Sequence, residues 1–431
     1  MSALDVDVLV VGGGLAGLEA ARVASAEGAV VALVDPGPLG GRATHGTLTA
    51  WRALADASRR DRESAWGEAQ RAHQHARERH AELHALRLED HGVSHVVGRG
   101  AFTRADGERG FEVKGGPRVT FERAIVATGG RPRTLGRGAR VLTPDRLLDL
   151  AEAPKELLVV GGGAAGAELA DAMVRLGATV TWMMDELGIL PEHDRELAES
   201  VGDVLMGRGV KLVHGIRVAE VTSDDRQALA RLEGGRTYAA PIAVVAVGTE
   251  PAIEDLGLAH LDLTHLAVDE RCETSAPGIF AAGDCTPRCA GATASVAMGR
   301  IAGLRATDRD AAPWDPEAIP RAVHTDPAVA QVGLTPERAA GRPVSIVSLR
   351  LEETLLGALR GVGSSVDAKG FLRLVCDERD VVLGASAVGP GAVEAVDAVA
   401  IAMRVGATRA QLASASVTLG ARLEALVACA R

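Results

Sequence analysis

Residues 7–17 read DVLVVGGGLAG, in which an apolar run leads directly into a glycine-rich turn. Consecutive apolar residues without alternation are typical of a parallel strand that is covered on both faces. The residues that follow predict a helix from Leu18 to Glu27 and a second strand from Val30 to Val34, which ends at Asp35. The order strand, helix, strand predicts the opening of a doubly wound α/β sheet.

The turn has the spacing Gly-x-Gly-x-x-Gly. Gly12 permits the tight turn, Gly14 lets the backbone approach a pyrophosphate, and Gly17 lets the helix pack closely on the strand. The free N–H groups and the positive dipole end of the helix favour a phosphate, and Asp35 can hold a ribose hydroxyl. A structural turn without a ligand is the alternative. The strand, helix and acid in this order favour a dinucleotide site.

The same unit recurs later in the chain. A strand over Glu156–Val160 precedes the loop GGGAAG at 161–166, in which Gly161, Gly163 and Gly166 repeat the spacing. A helix from Ala167 to Leu176 and a strand from Thr179 to Met184 are predicted to follow. Two dinucleotide sites in one chain indicate electron transfer between two bound cofactors.

Composition narrows the class of protein. At 431 residues the chain is long enough for about three domains. The formal net charge of -10, without blocks of like charge, argues against nucleic acid or an anionic membrane as the main partner. No apolar run approaches the ~18 residues of a spanning helix, and the acidic N-terminus does not resemble a signal peptide. We therefore expect a cytoplasmic protein, and its five cysteines do not suggest a disulfide framework.

Five further motifs occur in the order found in one flavoprotein family. The chain resembles the two-dinucleotide family of glutathione reductase, dihydrolipoamide dehydrogenase and mercuric reductase over nearly its whole length. The motifs are ATGGRP at 127–132, VGTEP at 247–251, GIFAAGD at 278–284, the stretch TDP through VGLT at 325–335, and LGA through GP at 383–390.

The resemblance implies an α/β protein with two Rossmann-like dinucleotide-binding domains and a C-terminal α+β dimerisation domain. It implies an FAD-binding domain over 1–152 and 277–314, an NAD(P)-binding domain over 153–276 and a dimerisation domain over 315–431, with a homodimer as the assembly. The implied FAD-binding residues are Gly12, Gly14, Gly17, Asp35, Gly41, Arg42, Ala101, Thr128, Gly129 and Asp284. The implied nicotinamide-nucleotide residues are Gly161, Gly163, Gly166, Asp185 and Gly248.

The nicotinamide nucleotide is expected to be NADH rather than NADPH. The acid that ends this strand in dihydrolipoamide dehydrogenase aligns with Met184, and Asp185 and Glu186 come next. These acids would repel a 2′-phosphate, and no arginine is expected to lie nearby to bind one.

Two departures from the family pattern decide the function. The positions of the two redox-active cysteines hold Ala43 and Leu48, neither of which can replace a thiolate. The C-terminal histidine and glutamate that serve the family as an acid–base pair align within the stretch Ser416–Ala421, where no group titrates near neutrality. The sequence therefore predicts an enzyme that does not reduce disulfides.

The flavin-proximal lysine and glutamate of the family align with Arg52 and Glu168. Arginine keeps the charge and could pair bidentately with the carboxylate, either to tune the flavin or as a structural salt bridge. Ala164 and Ala165 stand where the family has bulky shielding residues, which predicts an open flavin face.

Other reactive residues have structural alternatives. Cys285 and Cys289 could form a relocated redox pair, but cysteine is also a common small buried residue. His45 lies in the loop that holds the cysteines in the family, and could donate a proton to an acceptor or simply bond the backbone. The histidines between His73 and His95 are more simply explained as a solvated helix face than as a metal site, so no metal is predicted. His324 is expected to be a core or interface residue.

The sequence thus predicts an FAD-dependent oxidoreductase that passes electrons between NAD(P)H and a small acceptor other than a disulfide. Quinones, nitro compounds, dioxygen and a pathway metabolite are candidate acceptors. The alternative is a catalytically retired flavoprotein that acts as a binding or sensor subunit. Arg52, Glu168 and His45 are the candidate catalytic residues.

Overall fold

The computed structural model describes residues 3–59, 62–105, 107–288, 291–355, 370–417 and 423–431. The chain divides into two compact units. The first comprises Met1–Ala53, Gly67–Arg133 and Gly248–Asp315, and the second comprises Leu54–Trp66, Thr134–Val247 and Pro316–Arg431.

The described residues contain 22 strands and ten α-helices. The strands are β1 Ala3–Val11, β2 Val31–Asp35, β3 Ser94–Val97, β4 Gly100–Ala105, β5 Glu108–Val113, β6 Arg118–Val126, β7 Gly130–Pro132, β8 Val141–Leu142, β9 Glu156–Val160, β10 Thr179–Met183, β11 Lys211–Val213, β12 Val218–Ser223, β13 Ala228–Leu232, β14 Thr237–Ala240, β15 Ile242–Val245, β16 Thr249–Pro251, β17 Ile279–Ala281, β18 Arg321–Val323, β19 Val329–Gly333, β20 Val344–Arg350, β21 Phe371–Asp377 and β22 Val382–Val388. The helices are α1 Leu15–Ala26, α2 Thr49–Ala57, α3 Arg62–Asp90, α4 Ala164–Arg175, α5 Arg195–Gly207, α6 Ala292–Arg305, α7 Pro336–Ala339, α8 Ala392–Arg404, α9 Arg409–Ser414 and α10 Glu424–Ala430.

The first unit is built on a seven-stranded sheet with the order β3-β2-β1-β6-β5-β4, in which β17 also pairs with β6. Strands β1, β2, β3 and β17 run parallel to β6 or to one another, whereas β4 and β5 join β6 as an antiparallel meander. Leu9 and Val10 at the centre are fully buried. A strand covered on both faces reads as a continuous apolar run, as β1 does.

The second unit contains a parallel five-stranded sheet, a three-stranded antiparallel sheet and an antiparallel five-stranded sheet. Their orders are β11-β10-β9-β15-β8, β12-β13-β14 and β18-β19-β22-β21-β20. In the last sheet, Leu372 and Leu374 of β21 pack with Val396 and Val399 of α8 in one buried core.

Both predicted βαβ units are confirmed, but each helix begins three residues earlier than predicted, at Leu15 and at Ala164. The difference arises because the last part of each glycine motif already forms the first helical turn. The fold class predicted from the sequence is confirmed by this architecture. The predicted boundaries of the three domains stay a prediction.

No helix in the described part of the chain is long and apolar enough to cross a membrane.

The second unit contains a buried histidine, His193. His193 lies between β10 and α5, and neither of its buried ring nitrogens has a hydrogen-bond partner among the described residues. Burial, and then the charge of Arg321, lower the pKa of His193 from 6.5 to about 4.

We expect His193 to make the protein less stable in mild acid. Since the folded pKa lies below the unfolded one, the unfolded chain takes up the proton first and stability falls as the pH drops from 6.5 towards 4. Between pH 7.5 and pH 5 the loss from this group is about 2 kcal/mol. Urea unfolding of the native protein and of His193→Leu at both pH values measures it. An equal pH dependence in the two proteins would show that His193 does not carry the effect.

Candidate dinucleotide sites

A cavity of about 420 Å³ in the first unit lies at the carboxyl ends of its parallel strands. This is where open α/β sheets bind their ligands. Its wall includes the ends of β1 and β2, the loop after β6 and the loop after β17. Residues from all three predicted flavin motifs line it, among them Gly12, Gly14, Asp35, Thr128, Gly129 and Asp284.

The first glycine loop has the geometry that a dinucleotide requires. A Cβ on Gly12 would lie 2.3 Å from the Ala127 carbonyl oxygen, and a Cβ on Gly17 would lie 1.8 Å from the Gly12 oxygen. Both positions therefore need glycine. A Cβ on Gly14 would meet only the Cα of Gly41, at 3.9 Å. Gly14 thus presents bare backbone to the cavity, as close approach by a pyrophosphate demands.

Asp35 organises the same loop from the end of β2. Its Oδ2 accepts a hydrogen bond from the Gly13 N–H at 2.6 Å, and its Oδ1 accepts one from the Gly37 N–H at 2.8 Å. The carboxylate lines the cavity. It is therefore held where a ribose hydroxyl could reach it.

The opposite part of the cavity contains polar atoms that lack partners. Asp284 Oδ1 and Thr128 Oγ1 are buried and make no hydrogen bond within the described residues. The Arg42 Nη2 lies 3.6 Å from Asp284 Oδ2, and the Arg42 Nε donates to the Gly130 carbonyl at 3.0 Å. Buried polar atoms are normally satisfied. A polyhydroxylated ligand such as the ribityl chain of FAD would satisfy these.

Eight of the ten predicted FAD-binding residues line this cavity. Gly17 instead allows α1 to pack on the loop, and Ala101 lies on β4 beside the lining residue Gly100. Arg99 and Glu254 also line the cavity, and neither was predicted from the sequence. The two glycines that flank Arg99 in the sequence could have indicated a functional role for that position. No pattern in the sequence distinguishes Glu254.

Residues Ala43–Leu48, which span the positions of the family's two cysteines, form a π-helical turn. Such turns are frequent at functional sites, and their i→i+5 hydrogen bonds place residues five apart on one side. Ala43 lines the cavity, and Leu48 at the other end of the turn is 41% exposed. The side that would carry two sulfurs in the family is therefore apolar in this chain.

His45 lies in the same turn. Its Nε2 is 2.7 Å from the Leu39 carbonyl, so Nε2 carries the proton and donates it. Its Nδ1 is buried and has no partner among the described residues. This contact braces the loop, and His45 is not one of the cavity-lining residues.

Arg52 and Glu168 belong to different units, on α2 and on α4, and their pairing stays a prediction. Within the second unit, Glu168 Oε1 accepts a hydrogen bond from the His324 N–H at 2.7 Å. Glu168 thereby fixes the backbone just after β18. This contact could not be predicted, since the two residues are far apart along the chain.

The second glycine loop repeats the first. A Cβ on Gly161 would lie 2.3 Å from the Ala246 oxygen, and one on Gly166 would lie 2.0 Å from the Gly161 oxygen. A Cβ on Gly163 would meet no atom within 4 Å. Asp185 follows β10, and its Oδ1 accepts the Leu187 N–H at 3.2 Å. Gly248, with a φ of +91°, lies in the first unit.

Two sets of reactive residues have structural explanations. Cys285 is 1% exposed, its Sγ donates to the Val126 and Ala282 carbonyls, and burial raises its pKa to about 11. Cys289 lies outside the described residues, and of the stretch Ser416–Ala421, which aligns with the family's acid–base pair, only Ser416 and Val417 are described. The rings of His80 and His84 pack at a tilt of 45° with centroids 5.9 Å apart, but no group of three or more possible metal ligands occurs in the described part of the chain.

Comparison with known proteins agrees with this geometry. Residues 6–299 match the family model described as pyridine nucleotide-disulphide oxidoreductase. Residues 319–419 match the dimerisation domain of the same family, which supports a homodimer.

Similar proteins include dihydrolipoyl dehydrogenases and a quinone dehydrogenase by name. The chain is 29% identical to a dihydrolipoyl dehydrogenase of Geobacillus stearothermophilus over 95% of this chain and 92% of the relative. It is 32% identical to an NAD(P)H dehydrogenase (quinone) of Mycobacterium tuberculosis H37Rv over 67% of this chain and 60% of the relative. The crystal structure of LpdA (Rv3303c) from Mycobacterium tuberculosis superposes with a TM-score of 0.91 at 26% identity, covering 98% of this chain and 99% of that one. The chain therefore belongs to the pyridine nucleotide-disulphide oxidoreductase family, whose members are flavin-dependent pyridine nucleotide oxidoreductases.

Proposed function

We propose that the protein transfers electrons from NAD(P)H through FAD to a small acceptor that is not a disulfide, and that a quinone is the first candidate. The observation that carries the proposal is Ala43, which lines the cavity at the position of the family's first cysteine. Bound FAD would accept a hydride at one side and deliver electrons at the other. The side chains of the π-helical turn over Ala43–Leu48 can shape the binding surface for the acceptor, but none of them can carry electrons.

Disulfide reduction needs a thiolate beside the flavin. Ala43 and Leu48 cannot provide one. Cys285 follows the flavin motif at 278–284 directly, but burial raises its pKa to about 11, which keeps the thiol protonated at neutral pH. This favours a mechanism in which the flavin is the only redox-active group of the protein.

The replaced cysteine position favours a quinone over more polar acceptors. A planar, weakly polar ring loses little on leaving water for a cavity wall that presents the methyl group of Ala43 where the family has a thiol. The relative named NAD(P)H dehydrogenase (quinone) supports the same choice. Nitro compounds, dioxygen and a pathway metabolite are the other acceptors that this surface would admit.

The remaining residues have binding and positioning roles in this proposal. Gly12, Gly14 and the start of α1 would hold the diphosphate, and Asp284 with Thr128 would bond the ribityl chain. Arg52 with Glu168 would adjust the electrostatics near the flavin. His45 would act as a proton donor to the acceptor only if it left the Leu39 carbonyl, and otherwise it braces the loop.

Three finer points complete the proposal. NADH is the preferred donor, because Asp185 and Glu186 place negative charge beside the second glycine loop. The protein works as a homodimer in the cytoplasm. These points follow from the sequence pattern and from the match to the dimerisation domain.

Steady-state oxidation of NADH tests the acceptor class. We expect sustained turnover with a water-soluble naphthoquinone, and no turnover above background with lipoamide or oxidised glutathione. Turnover with either disulfide would contradict the proposal. If the protein bound FAD but did not oxidise NADH in the presence of any acceptor tested, including dioxygen and nitro compounds, the second candidate would be favoured. That candidate is a catalytically inactive flavoprotein that serves as a binding or sensor subunit.

A further inference from the structure

The contacts of the two glycine loops identify which residues occupy equivalent places. Gly12 N–H donates to the Val34 oxygen and Gly161 N–H to the Met183 oxygen, each at 2.8 Å. A Cβ on Gly13 would lie 3.0 Å from Asp35 Cβ, and one on Gly162 would lie 3.2 Å from Met184 Cβ. Met184 in the second unit therefore stands where Asp35 stands in the first.

This replacement removes the usual means of choosing between the two nicotinamide nucleotides. A carboxylate at this strand end bonds the ribose 2′-hydroxyl of NADH and repels the 2′-phosphate of NADPH. Met184 is 3% exposed and offers no acceptor. Any discrimination must then come from the residues that follow it.

Those residues form a loose charge pair that the sequence did not predict. Glu186 and Arg217, 64% and 61% exposed, approach to 3.8 Å between Glu186 Oε1 and Arg217 Nη2. The segment that carries Arg217 is held beside the second loop, because the Gly215 N–H donates to the Asp185 carbonyl at 3.3 Å. The prediction that no arginine lies near Glu186 was wrong, because Arg217, in the connection between β11 and β12, approaches it.

We propose that Glu186 excludes the 2′-phosphate by neutralising Arg217 and repelling the phosphate, and so replaces the lost strand-end carboxylate. Arg217 is otherwise well suited to a phosphate, because its guanidinium can donate two parallel hydrogen bonds. An exposed pair at this distance is weak, so either partner is free to turn to a ligand. The inference rests on the proposed function, in that the second unit is taken to bind a nicotinamide dinucleotide.

Calorimetric titration of the FAD-loaded protein with adenosine 5′-monophosphate and with adenosine 2′,5′-bisphosphate tests this without turnover. In Glu186→Gln we expect the Kd for the bisphosphate to fall about tenfold, and the Kd for the monophosphate to change less than about twofold. The double variant Glu186→Gln, Arg217→Gln should lose the gain. Glu199→Gln, which removes an equally exposed charge on α5, should behave as the native protein.

An unchanged preference in Glu186→Gln, with monophosphate binding intact, would overturn this inference and leave the proposed function standing. A gain that survives removal of Arg217 would also overturn it. If the native protein bound neither probe and NADH failed to reduce its flavin, both the inference and the nicotinamide part of the proposed function would fail.

Discussion

Replacing Gly14 by valine should give a folded but colourless protein, whereas the same change at Gly163 should give a yellow protein that NADH no longer reduces. Both glycines precede a helix with extended backbone, at φ and ψ of -77° and -177° for Gly14 and -76° and -177° for Gly163. Valine adopts this conformation without strain. The folded protein therefore tolerates either side chain.

The loss is expected in binding because each new side chain would fill the space that the diphosphate needs. Only Gly41 lies near the Cβ position of Gly14, and no atom lies near that of Gly163. Excluding the diphosphate from the helix N-terminus removes its close backbone contacts. We expect the affinity for the corresponding nucleotide to fall about a hundredfold or more, which corresponds to ~2.7 kcal/mol.

Flavin content, circular dichroism and anaerobic reduction by NADH measure the two effects separately. The Gly163→Val flavin should still be reduced by dithionite, which serves as the control for an intact flavin site. Loss of FAD from both variants, or from neither, would contradict the assignment of one loop to each nucleotide.

The two βαβ units could be predicted from the sequence because their requirements are local. At Gly12 and at Gly161 any Cβ would clash with a carbonyl oxygen, so only glycine fits there. The residue type therefore reveals each turn in the sequence. Most of the residues that line the cavity of the first unit were predictable for the same reason. The departure at Ala43 and Leu48 was visible as well, since it depends only on residue identity.

Contacts between distant segments could not be predicted. The Glu168 contact with the His324 backbone and the approach of Arg217 to Glu186 depend on how separate elements pack. The π-helical turn over Ala43–Leu48 has no pattern that distinguishes it from an α-helical start. The unpartnered ring of His193 likewise emerges only from the packing around it.

The electron capacity of the protein follows from the same replacements. Flavin accepts two electrons, and a redox-active dithiol beside it would accept two more. With Ala43 and Leu48 in the turn, we expect full flavin reduction after about two electrons per chain. We also expect no long-wavelength absorption band, because that band requires a thiolate in contact with the oxidised flavin.

A redox pair formed by Cys285 with Cys289 is the internal alternative as an electron acceptor, since a disulfide between them could take up two electrons. The Cys285 thiol is buried, donates to two backbone carbonyls and has a pKa raised by burial to about 11, so it should not take part in thiol–disulfide chemistry. Cys285→Ser keeps a hydroxyl donor for the same carbonyls and removes only the sulfur chemistry. It is therefore a matched control for the titration.

Anaerobic titration with dithionite, on the native protein and on Cys285→Ser, tests the central claim that flavin is the sole redox centre. We predict about two electrons per chain in both proteins, with no charge-transfer band at any stage. About four electrons in the native protein and about two in the variant would contradict it and place a redox-active thiol pair at Cys285.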